Sequence, residues 1–575
     1  MAQMWSSALN VVPVRGRLRI DRAWCPFASP EAPSFRDGVE GADLVVYVTA
    51  NGDACETGGV LASAFSCYWD QFERPIAGNI DFCLDTIEIS HLDEMGRPKK
   101  DDPNASLGAA TQQTSSSAAA GGNGDDENET DTQERHHDKI LKMAVGTAVH
   151  EFAHVLGVTS ADLLYFYDWK TGMPRTPEPI KREVPCVGGK GAGGGGSDAR
   201  TTVEEHWMPD ETTLASGTTS KGALYYEITT PTVRRVVRNQ FDCDRARGAR
   251  LENQPTNGDC FGSHFDERLF FTENMSPVLG GVPEVLSSLT LALLHDSGWY
   301  VPDYSIARVS PFGHGAGCDF LEKDCIVDGR VPPHGEGYFC ADKYGFDSSG
   351  RFAGGYGCDP THTHIGICDL VDYDELKVRY DPPDPAYRYF PSPTWGALMH
   401  TADFCPTYSI DAFSCLDRPD GPSPLNNKDG KSRKLPDLPD AAAIESESYG
   451  RSAKCFDTRG ANRPVCLDAT CDEAGHAVTV RLGMGPERVK CERDGQVHRI
   501  PGSEASFVCP RLSTVCPDLV CPANCAGMGD CDYGGTNPEC VCDDPDDETA
   551  GCFERAGKSS VPPSKAWQGG PGGVQ

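Results

Sequence analysis

The clearest helical pattern in the sequence is KILKMAVGTAVHEFAHVLGV, residues 139–158. It is rich in alanine, leucine, methionine and valine and closes on Gly157, so it predicts a helix. The residues that flank its polar centre are apolar, and the helix is therefore expected to be buried. Two histidines and one glutamate in a buried helix need partners, and a metal ion would supply one.

The polar centre is the motif HExxH, which runs from His150 to His154. Positions i and i+4 lie on one face of a helix, so both imidazoles can reach the same ion. Glu151 can then reach a water molecule beside that ion and act as a general base. We interpret His150 and His154 as ligands of one catalytic Zn²⁺ and Glu151 as the catalytic residue. A chance match in a surface helix is the alternative, and the apolar flanks argue against it.

A catalytic zinc ion needs a third protein ligand and an open fourth position. The extended pattern HExxHxxGxxH is met as far as Gly157 and then fails, because Ser160 stands where the third histidine would be. The third ligand is therefore expected further along the chain. The downstream histidines considered for this role are His206, His264, His295 and His314.

His264 is the favoured third ligand because Met275, in the segment Asn-Met-Ser-Pro, follows it eleven residues later. His206 is the second choice, although its polar, acidic surroundings favour solvent exposure. His295 ends a predicted helix at Val285–His295, where a packing or capping role is expected.

Composition limits the class of protein. The 575 residues allow three or four domains, and 85 acidic against 52 basic residues give a net charge of −33, which disfavours nucleic-acid partners. The 26 cysteines indicate disulfides and an extracellular or cell-surface location in the secretory pathway. The sequence has no apolar run long enough for a membrane span, and no signal peptide is visible at its N-terminus.

The chain is expected to be α+β, with a mixed sheet and the HExxH helix in front of a disulfide-rich, loop-rich C-terminal region. Strands are expected at Leu44–Val48 and Ile80–Ile87, with a helix at Ala62–Phe72 between them. A further helix is expected at Met4–Val12, and regular patterning resumes at Thr230–Asn239. The predicted division is an N-terminal catalytic subdomain at 1–158 with a disordered acidic insert at 99–138, a central subdomain at 159–300 with a glycine-rich loop at 188–197, a cysteine-rich subdomain at 301–517, a small module at 518–556 and a disordered tail at 557–575.

The small module contains the last six cysteines, whose fourth and fifth members are separated by one residue. This spacing resembles an EGF-like module. The resemblance implies that the first cysteine pairs with the third, the second with the fourth and the fifth with the sixth; spacing alone permits fifteen pairings.

The chain as a whole resembles the leishmanolysin family of metzincin metallopeptidases. The resemblance rests on the HExxHxxG helix, on Gly-Ser-His-Phe at 262–265 with Asn-Met at 274–275, and on the segments at 291–300 and 311–318. It implies a metzincin-like catalytic domain, zinc endopeptidase activity on protein or peptide substrates, and possible membrane association. The positions of this sequence that match the family motifs are then implied to have the family roles. His150, His154 and His264 would bind zinc, Glu151 would be catalytic, and Met275 would lie in a methionine turn.

A metzincin peptide substrate is expected to pair with an edge strand, and we predict that the Asn79–Ile87 region supplies this edge. The family's propeptide cysteine is not recognisable; Cys25 is the nearest candidate for a free thiol, although a disulfide is expected there. The alternative function is a catalytically lapsed scaffold in cell-surface adhesion, with an extracellular partner bound through the EGF-like module.

Overall fold

The computed structural model describes residues 2–57, 60–84, 86, 141, 143–187, 201–252, 262–278, 284–343, 355–376, 385–416, 446–474, 476–483, 487–535 and 537–556. These residues fold into two compact units. The first lies within residues 13–157, and the second comprises residues 3–12, 158–416 and 446–556. The predicted acidic insert, glycine-rich loop and C-terminal tail lie outside the described residues.

The first unit is built on a three-stranded mixed sheet. Its central strand, Pro75–Phe82, runs parallel to Val45–Ala50 and antiparallel to Ala62–Trp69. The central strand is almost continuously buried, as expected for a strand covered on both faces. The unit also has a two-stranded ribbon, in which Arg17–Leu18 pairs with Val39–Glu40, a short helix at Pro33–Arg36 and a 3-10 turn at Asp53–Thr57.

The HExxH helix spans residues 143–155 and packs against this sheet. A side chain at Gly78 of the central strand would place its Cβ 2.6 Å from the side chain of Val155, so only glycine lets the helix approach so closely. Val155 is fully buried at this contact. The buried helix predicted from the apolar flanks is confirmed.

Two predictions for this unit are wrong. The helix predicted at Ala62–Phe72 is the strand Ala62–Trp69, because its aromatic and small residues pair with the central strand and that pairing overrides local helix propensity. The strand predicted at Ile80–Ile87 lies earlier, at Pro75–Phe82, and is central. The Asn79–Ile87 region therefore does not supply the sheet edge; among the described strands, the antiparallel edge is Ala62–Trp69.

The second unit mixes short helices with small antiparallel sheets, so the α+β class is confirmed. Its helices are Ala2–Ala8, Pro231–Phe241, Glu267–Phe270, Ser288–Asp296, Cys318–Glu322, Tyr373–Leu376, Leu512–Val515 and Phe553–Ala556. Its two-stranded sheets pair Leu9–Val11 with Tyr300–Pro302, Ile180–Val187 with Thr201–Met208, Leu370–Asp372 with Trp395–Ala397, and Gly529–Asp532 with Glu539–Cys542. Its three-stranded sheets, in order of pairing, are Leu214–Thr218, Leu224–Ile228 and Ala249–Arg250; Tyr356–Cys358, His364–Ile367 and Ile410–Ser414; and Thr458–Arg459, Ser506–Val508 and Val497–Arg499. One four-stranded sheet contains Ala453–Phe456, Val465–Asp472, Ala477–Arg481 and Arg488–Cys491 in that order.

Two predicted helices of this unit are shorter than expected. The helix predicted at Met4–Val12 ends at Ala8, because the next residues pair as a strand with Tyr300–Pro302. The helix predicted at Val285–His295 begins at Ser288, since the hydroxyl of Ser287 accepts a hydrogen bond from the backbone of Leu289 and caps it.

The regularly patterned stretch at Thr230–Asn239 forms the helix Pro231–Phe241. Its first turn is held by the buried carboxylate of Asp296, which accepts hydrogen bonds from the backbone of Thr232 at 2.8 Å and of Val233 at 3.1 Å. A negative charge at a helix N-terminus is favourable, so this contact stabilises the helix Pro231–Phe241.

Twelve disulfide bonds join 24 cysteines of the described chain, which confirms the disulfide-rich prediction. Cys25 pairs with Cys67, so it is not a free thiol. The last six cysteines pair first with third, second with fourth and fifth with sixth, as the resemblance implied. In the part of the chain that the structure describes, no helix combines the length and apolar character needed to cross a bilayer.

Candidate metal centre

His150 and His154 face each other one turn apart on the HExxH helix. Their Nε2 atoms lie 3.1 Å apart, and the two rings are nearly perpendicular at 80°. Both side chains are buried, with 4% and 7% of their surface exposed. The helix therefore presents two imidazole nitrogens at one buried point.

The separation of the two nitrogens fits a metal ion. In a tetrahedral zinc site with Zn–N distances of about 2.0–2.1 Å, any two ligand nitrogens lie about 3.3–3.4 Å apart. The observed 3.1 Å between the Nε2 atoms of His150 and His154 is close to that value. The donor set is also the one zinc prefers, since neutral imidazole is a common zinc ligand.

The helix ends in a sharp turn at Gly157, whose φ of 103° lies in the region that favours glycine. Its backbone N–H donates to the carbonyl of His154 at 3.0 Å. The predicted turn after the helix is present. The chain changes direction there, three residues after His154.

In the second unit, Ser160, which follows the HExxH helix in sequence, is hydrogen-bonded to Ser263, the residue that precedes His264. The backbone N–H of Ser160 donates to the hydroxyl of Ser263 at 3.1 Å, and the two hydroxyls lie 3.3 Å apart. Ser160 is thus not a ligand but contacts the residue that precedes His264.

His264 lies opposite a buried glutamate. Its Nδ1 is 2.6 Å from Oε1 of Glu252, and 24% of the His264 side chain is exposed against 4% for Glu252. A carboxylate can only accept a hydrogen bond, so Nδ1 carries the proton, and in the neutral imidazole Nε2 holds the lone pair. Nε2 is therefore the atom of His264 suited to a metal-ligand role.

Met275 lies in a tight turn and is fully buried. The turn is closed by the backbone N–H of Ser276, which donates to the carbonyl of Glu273 at 3.0 Å. The carbonyl of Met275 accepts a hydrogen bond from the backbone of Phe265 at 2.9 Å. The predicted methionine therefore lies in a turn that is bonded to the residue after His264.

Glu273 begins this turn and is buried. Burial raises the pKa of its carboxyl to about 7, although hydrogen bonds from Ser287 and Thr290 oppose the shift. The hydroxyl of Thr290 donates to Oε1 of Glu273 at 2.7 Å. The turn is thereby held to the helix Ser288–Asp296.

Each unit holds part of the candidate ligand set. In the first unit, His150 and His154 present two ring nitrogens from one buried helix. In the second unit, His264 presents an imidazole whose Nδ1 is bonded to Glu252. Imidazole is a common zinc ligand, so all three side chains are chemically suited to that role.

The other candidate histidines have different partners. His206 lies on the half-exposed hairpin strand Thr201–Met208, with Nε2 3.6 Å from a carboxylate oxygen of Glu204. His295 is buried, stacks on Trp169 at 4.4 Å, and its pKa is lowered to about 4 by burial. The packing role predicted for His295 is confirmed.

His314 is also buried, and burial lowers its pKa to about 4. Its Nδ1 lies 3.2 Å from the carbonyl of Ser513, and its Nε2 lies 3.3 Å from the hydroxyl of Tyr533. Both ring nitrogens therefore have partners far along the chain.

Glu252 is the site residue that the sequence did not reveal. It precedes His264 by twelve residues and belongs to no motif, so its pairing with the imidazole depends on how two chain segments align. A glutamate preceding a candidate ligand histidine is too common a pattern to indicate such a contact.

Comparison with known proteins gives the family. The profile of peptidase M8, leishmanolysin, matches residues 214–526, which is more than half of the chain and includes His264 and Met275. The leishmanolysin-like peptidase of Caenorhabditis elegans is 27% identical over 441 residues, covering 73% of this chain and 55% of that protein. The leishmanolysin-like peptidase of Drosophila melanogaster is 26% identical over 501 residues, covering 83% of this chain and 61% of that protein.

Leishmanolysin of Leishmania major is 24% identical over 307 residues, which are 50% of this chain and 44% of that protein. The chain thus spans about half the length of the relatives it matches. The family profile matches more than half of the chain, which is enough to show the family. The chain belongs to the leishmanolysin family, peptidase M8, a family of zinc metallopeptidases.

Proposed function

We propose that this chain is a zinc-dependent endopeptidase that hydrolyses peptide bonds of proteins. In this proposal His150, His154 and His264 hold one Zn²⁺, and Glu151 is the general base. The observation that carries it is the pair of Nε2 atoms of His150 and His154, 3.1 Å apart on one buried helix, with a glutamate adjacent to the first histidine.

A zinc ion bound by three protein ligands polarises a water molecule and the carbonyl group of the scissile peptide. The residues of the chain would do the remaining work. His150 and His154 stay fixed because both lie on one buried helix, and a rigid ligand pair keeps its geometry through the reaction.

Glu151 would accept a proton from the attacking water and deliver it to the leaving amine. Only 4% of Glu151 is exposed, and a buried position strengthens its electrostatic interactions with charge that develops nearby. It follows His150 directly, so its backbone is held by the same turn of the HExxH helix.

The peptide backbone is proposed to pair with the strand Ala62–Trp69, in place of the region predicted from the sequence. This strand is the antiparallel edge of the described three-stranded sheet, and Phe65 on it is 44% exposed. The backbone N–H of Cys83 donates to the carbonyl of Leu61, directly opposite. Because bonded and non-bonded pairs alternate in an antiparallel ladder, the N–H of Ala64 points away from the central strand. It can therefore donate a hydrogen bond to a substrate carbonyl.

We further propose an extracytoplasmic location and an EGF-like fold for the terminal module. The disulfide bonds support the location, because such density requires an oxidising compartment. The pairing order of the last six cysteines supports the EGF-like fold. A cell-surface position and an extracellular partner for the module are part of this proposal.

Metal analysis tests the function. The purified chain should contain one zinc ion, and a chelator should remove zinc and peptide cleavage together, with both restored by added zinc. A full complement of zinc with no cleavage of any protein substrate would favour the lapsed adhesion scaffold. A chain that binds no zinc through His150, His154 and His264 would remove the proposal.

A further inference from the structure

Glu252 is fixed against His264 by backbone as well as side-chain contacts. The backbone N–H of Glu252 donates to the carbonyl of His264 at 3.0 Å, while the N–H of Gly262 donates to the carbonyl of Glu252 at 2.9 Å. The preceding residue, Leu251, pairs with Phe265 in an antiparallel bridge. These backbone contacts form a short antiparallel ladder that places the side chains of Glu252 and His264 opposite each other.

Gly262 leaves the space that the glutamate side chain occupies. A Cβ at this position would lie 2.0 Å from Oε1 of Glu252 and 2.2 Å from its Cγ. Atoms cannot approach so closely, so any larger residue would push the carboxylate away from His264. The glycine two residues before the histidine is thus matched to the glutamate.

The carboxylate determines which face of the imidazole is available. At 2.6 Å, Oε1 accepts the proton of Nδ1, which leaves Nε2 as the nitrogen that can bind a cation. Glu252 is 4% exposed, so water does not compete for this hydrogen bond. A carboxylate behind a ligand imidazole fixes the ring orientation and makes the ring a stronger donor.

We propose that Glu252 is a positioning residue that orients His264 for zinc, with Gly262 as the gap that admits it. The inference rests on the proposed zinc site, and it adds a carboxylate that belongs to no sequence motif. Glu252 acts through the histidine and does not touch the reacting atoms.

The test measures zinc affinity of the full chain by competition with a chromophoric chelator. Glu252→Ala should weaken zinc binding by about 10- to 100-fold, the usual effect of losing a carboxylate behind a ligand. Glu252→Gln should weaken it less, because an amide oxygen still accepts the hydrogen bond. Gly262→Ala should weaken it as well, although the carboxylate is retained.

A matched control is Glu227→Ala, which removes another buried glutamate of the same unit. Glu227 is 4% exposed and pairs with Arg247 at 3.2 Å. It should reduce thermal stability while leaving zinc affinity within about twofold of the wild-type value. The melting temperature of the zinc-free proteins, and the visible spectrum of the cobalt-substituted proteins, complete the comparison.

Three outcomes would overturn the inference: an unchanged zinc affinity in Glu252→Ala, an equal loss in Glu252→Ala and Glu227→Ala, or an unaltered cobalt spectrum in all Glu252 variants. His264→Ala separates this failure from failure of the proposed function. If His264→Ala loses zinc but the Glu252 variants do not, the zinc site stands and only the role of Glu252 is wrong. If Glu252→Ala does not fold, Glu252→Gln and Gly262→Ala decide the question.

Discussion

The backbone of Ser160 donates a hydrogen bond to the hydroxyl of Ser263 across 103 residues of sequence. Ser160 stands where the extended HExxHxxGxxH pattern would have its third histidine, and Ser263 directly precedes His264. The proposed third ligand, although it is encoded far downstream, therefore follows a residue that contacts the position used by the short pattern. An insertion can separate the two in sequence at little energetic cost, because loop closure depends only weakly on length.

The first prediction concerns the third ligand. His264→Ala should reduce zinc affinity at least tenfold and abolish peptide cleavage, because two protein ligands hold zinc poorly. Equilibrium dialysis and a fluorogenic peptide assay measure both effects.

His206→Ala is the matched control, since His206 pairs with Glu204 on the half-exposed hairpin. It should keep wild-type zinc content and turnover. If the two variants exchange these behaviours, His206 is the third ligand and His264 is not.

The second prediction separates catalysis from metal binding at Glu151. Glu151→Gln should lower kcat/KM by at least about 10²- to 10⁴-fold, because an amide cannot accept the proton of the attacking water. Zinc content should remain at one ion per chain, since the three histidines are unchanged. Cleavage at near wild-type rates in Glu151→Gln would assign the base to another residue.

The helical part of the proposed site was accessible to sequence reasoning because it is local. His150, Glu151 and His154 follow from helical periodicity, and the apolar flanks show that the helix is buried. His264 needed a second clue, the methionine turn. Glu252 had none, because its contact with His264 arises from an antiparallel alignment of two segments that the sequence pattern does not encode.

Local features of the fold were likewise predictable, whereas features that depend on contacts distant in sequence were not. The resemblance of the terminal module to an EGF-like module implied its disulfide pairing, whereas the cysteine spacing alone left fifteen pairings open. The order of strands was not predictable: Pro75–Phe82 is central because it pairs on both sides, and this choice is made by tertiary contacts. The strand Ala62–Trp69 was mistaken for a helix for the same reason.

The third prediction tests the corrected edge strand. Ala64→Pro removes the outward backbone N–H without removing a bond to the central strand, so it should raise KM by about three- to tenfold. Ala64→Val keeps the N–H and should bind substrate normally. Steady-state kinetics with a protein-derived peptide measures both, and equal KM values would place the substrate elsewhere.

The fourth prediction concerns the attachment of the terminal module within the second unit. The side chain of Asn239 donates to the carbonyls of Asn524 and Gly529, both at 2.9 Å, and accepts from the backbone of Cys531 at 3.0 Å. Asn239→Ala leaves these buried groups without their partner and should lower the free energy of unfolding by about 2–4 kcal/mol. Urea unfolding monitored by tryptophan fluorescence measures the change.

Arg235→Ala provides the contrast on the same helix. Arg235 pairs with Asp530 and Asp543 at the surface, where an ion pair contributes about 0–1 kcal/mol. Equal losses in the two variants would mean that the module is held by surface charge and not by the buried amide.

The fifth prediction is a pH dependence set by His295. Burial among Trp169 and Tyr304 lowers its pKa to about 4, below the unfolded value near 6.5, so the folded chain binds fewer protons between these values. Its contribution to stability is therefore complete above about pH 6.5, is lost as the pH falls toward 4, and changes no further below that. His295→Phe keeps an aromatic ring but takes up no proton.

The free energy of unfolding of His295→Phe should consequently fall less steeply than that of the wild type between pH 6.5 and 4, by up to about 1.4 kcal/mol per pH unit. The difference between the two proteins cancels every other titrating group. Trp169→Phe weakens the stack but leaves the imidazole, so it should lower stability while keeping the wild-type slope. Parallel curves for His295→Phe and the wild type would show that another buried group, such as His314, accounts for the loss of stability in acid.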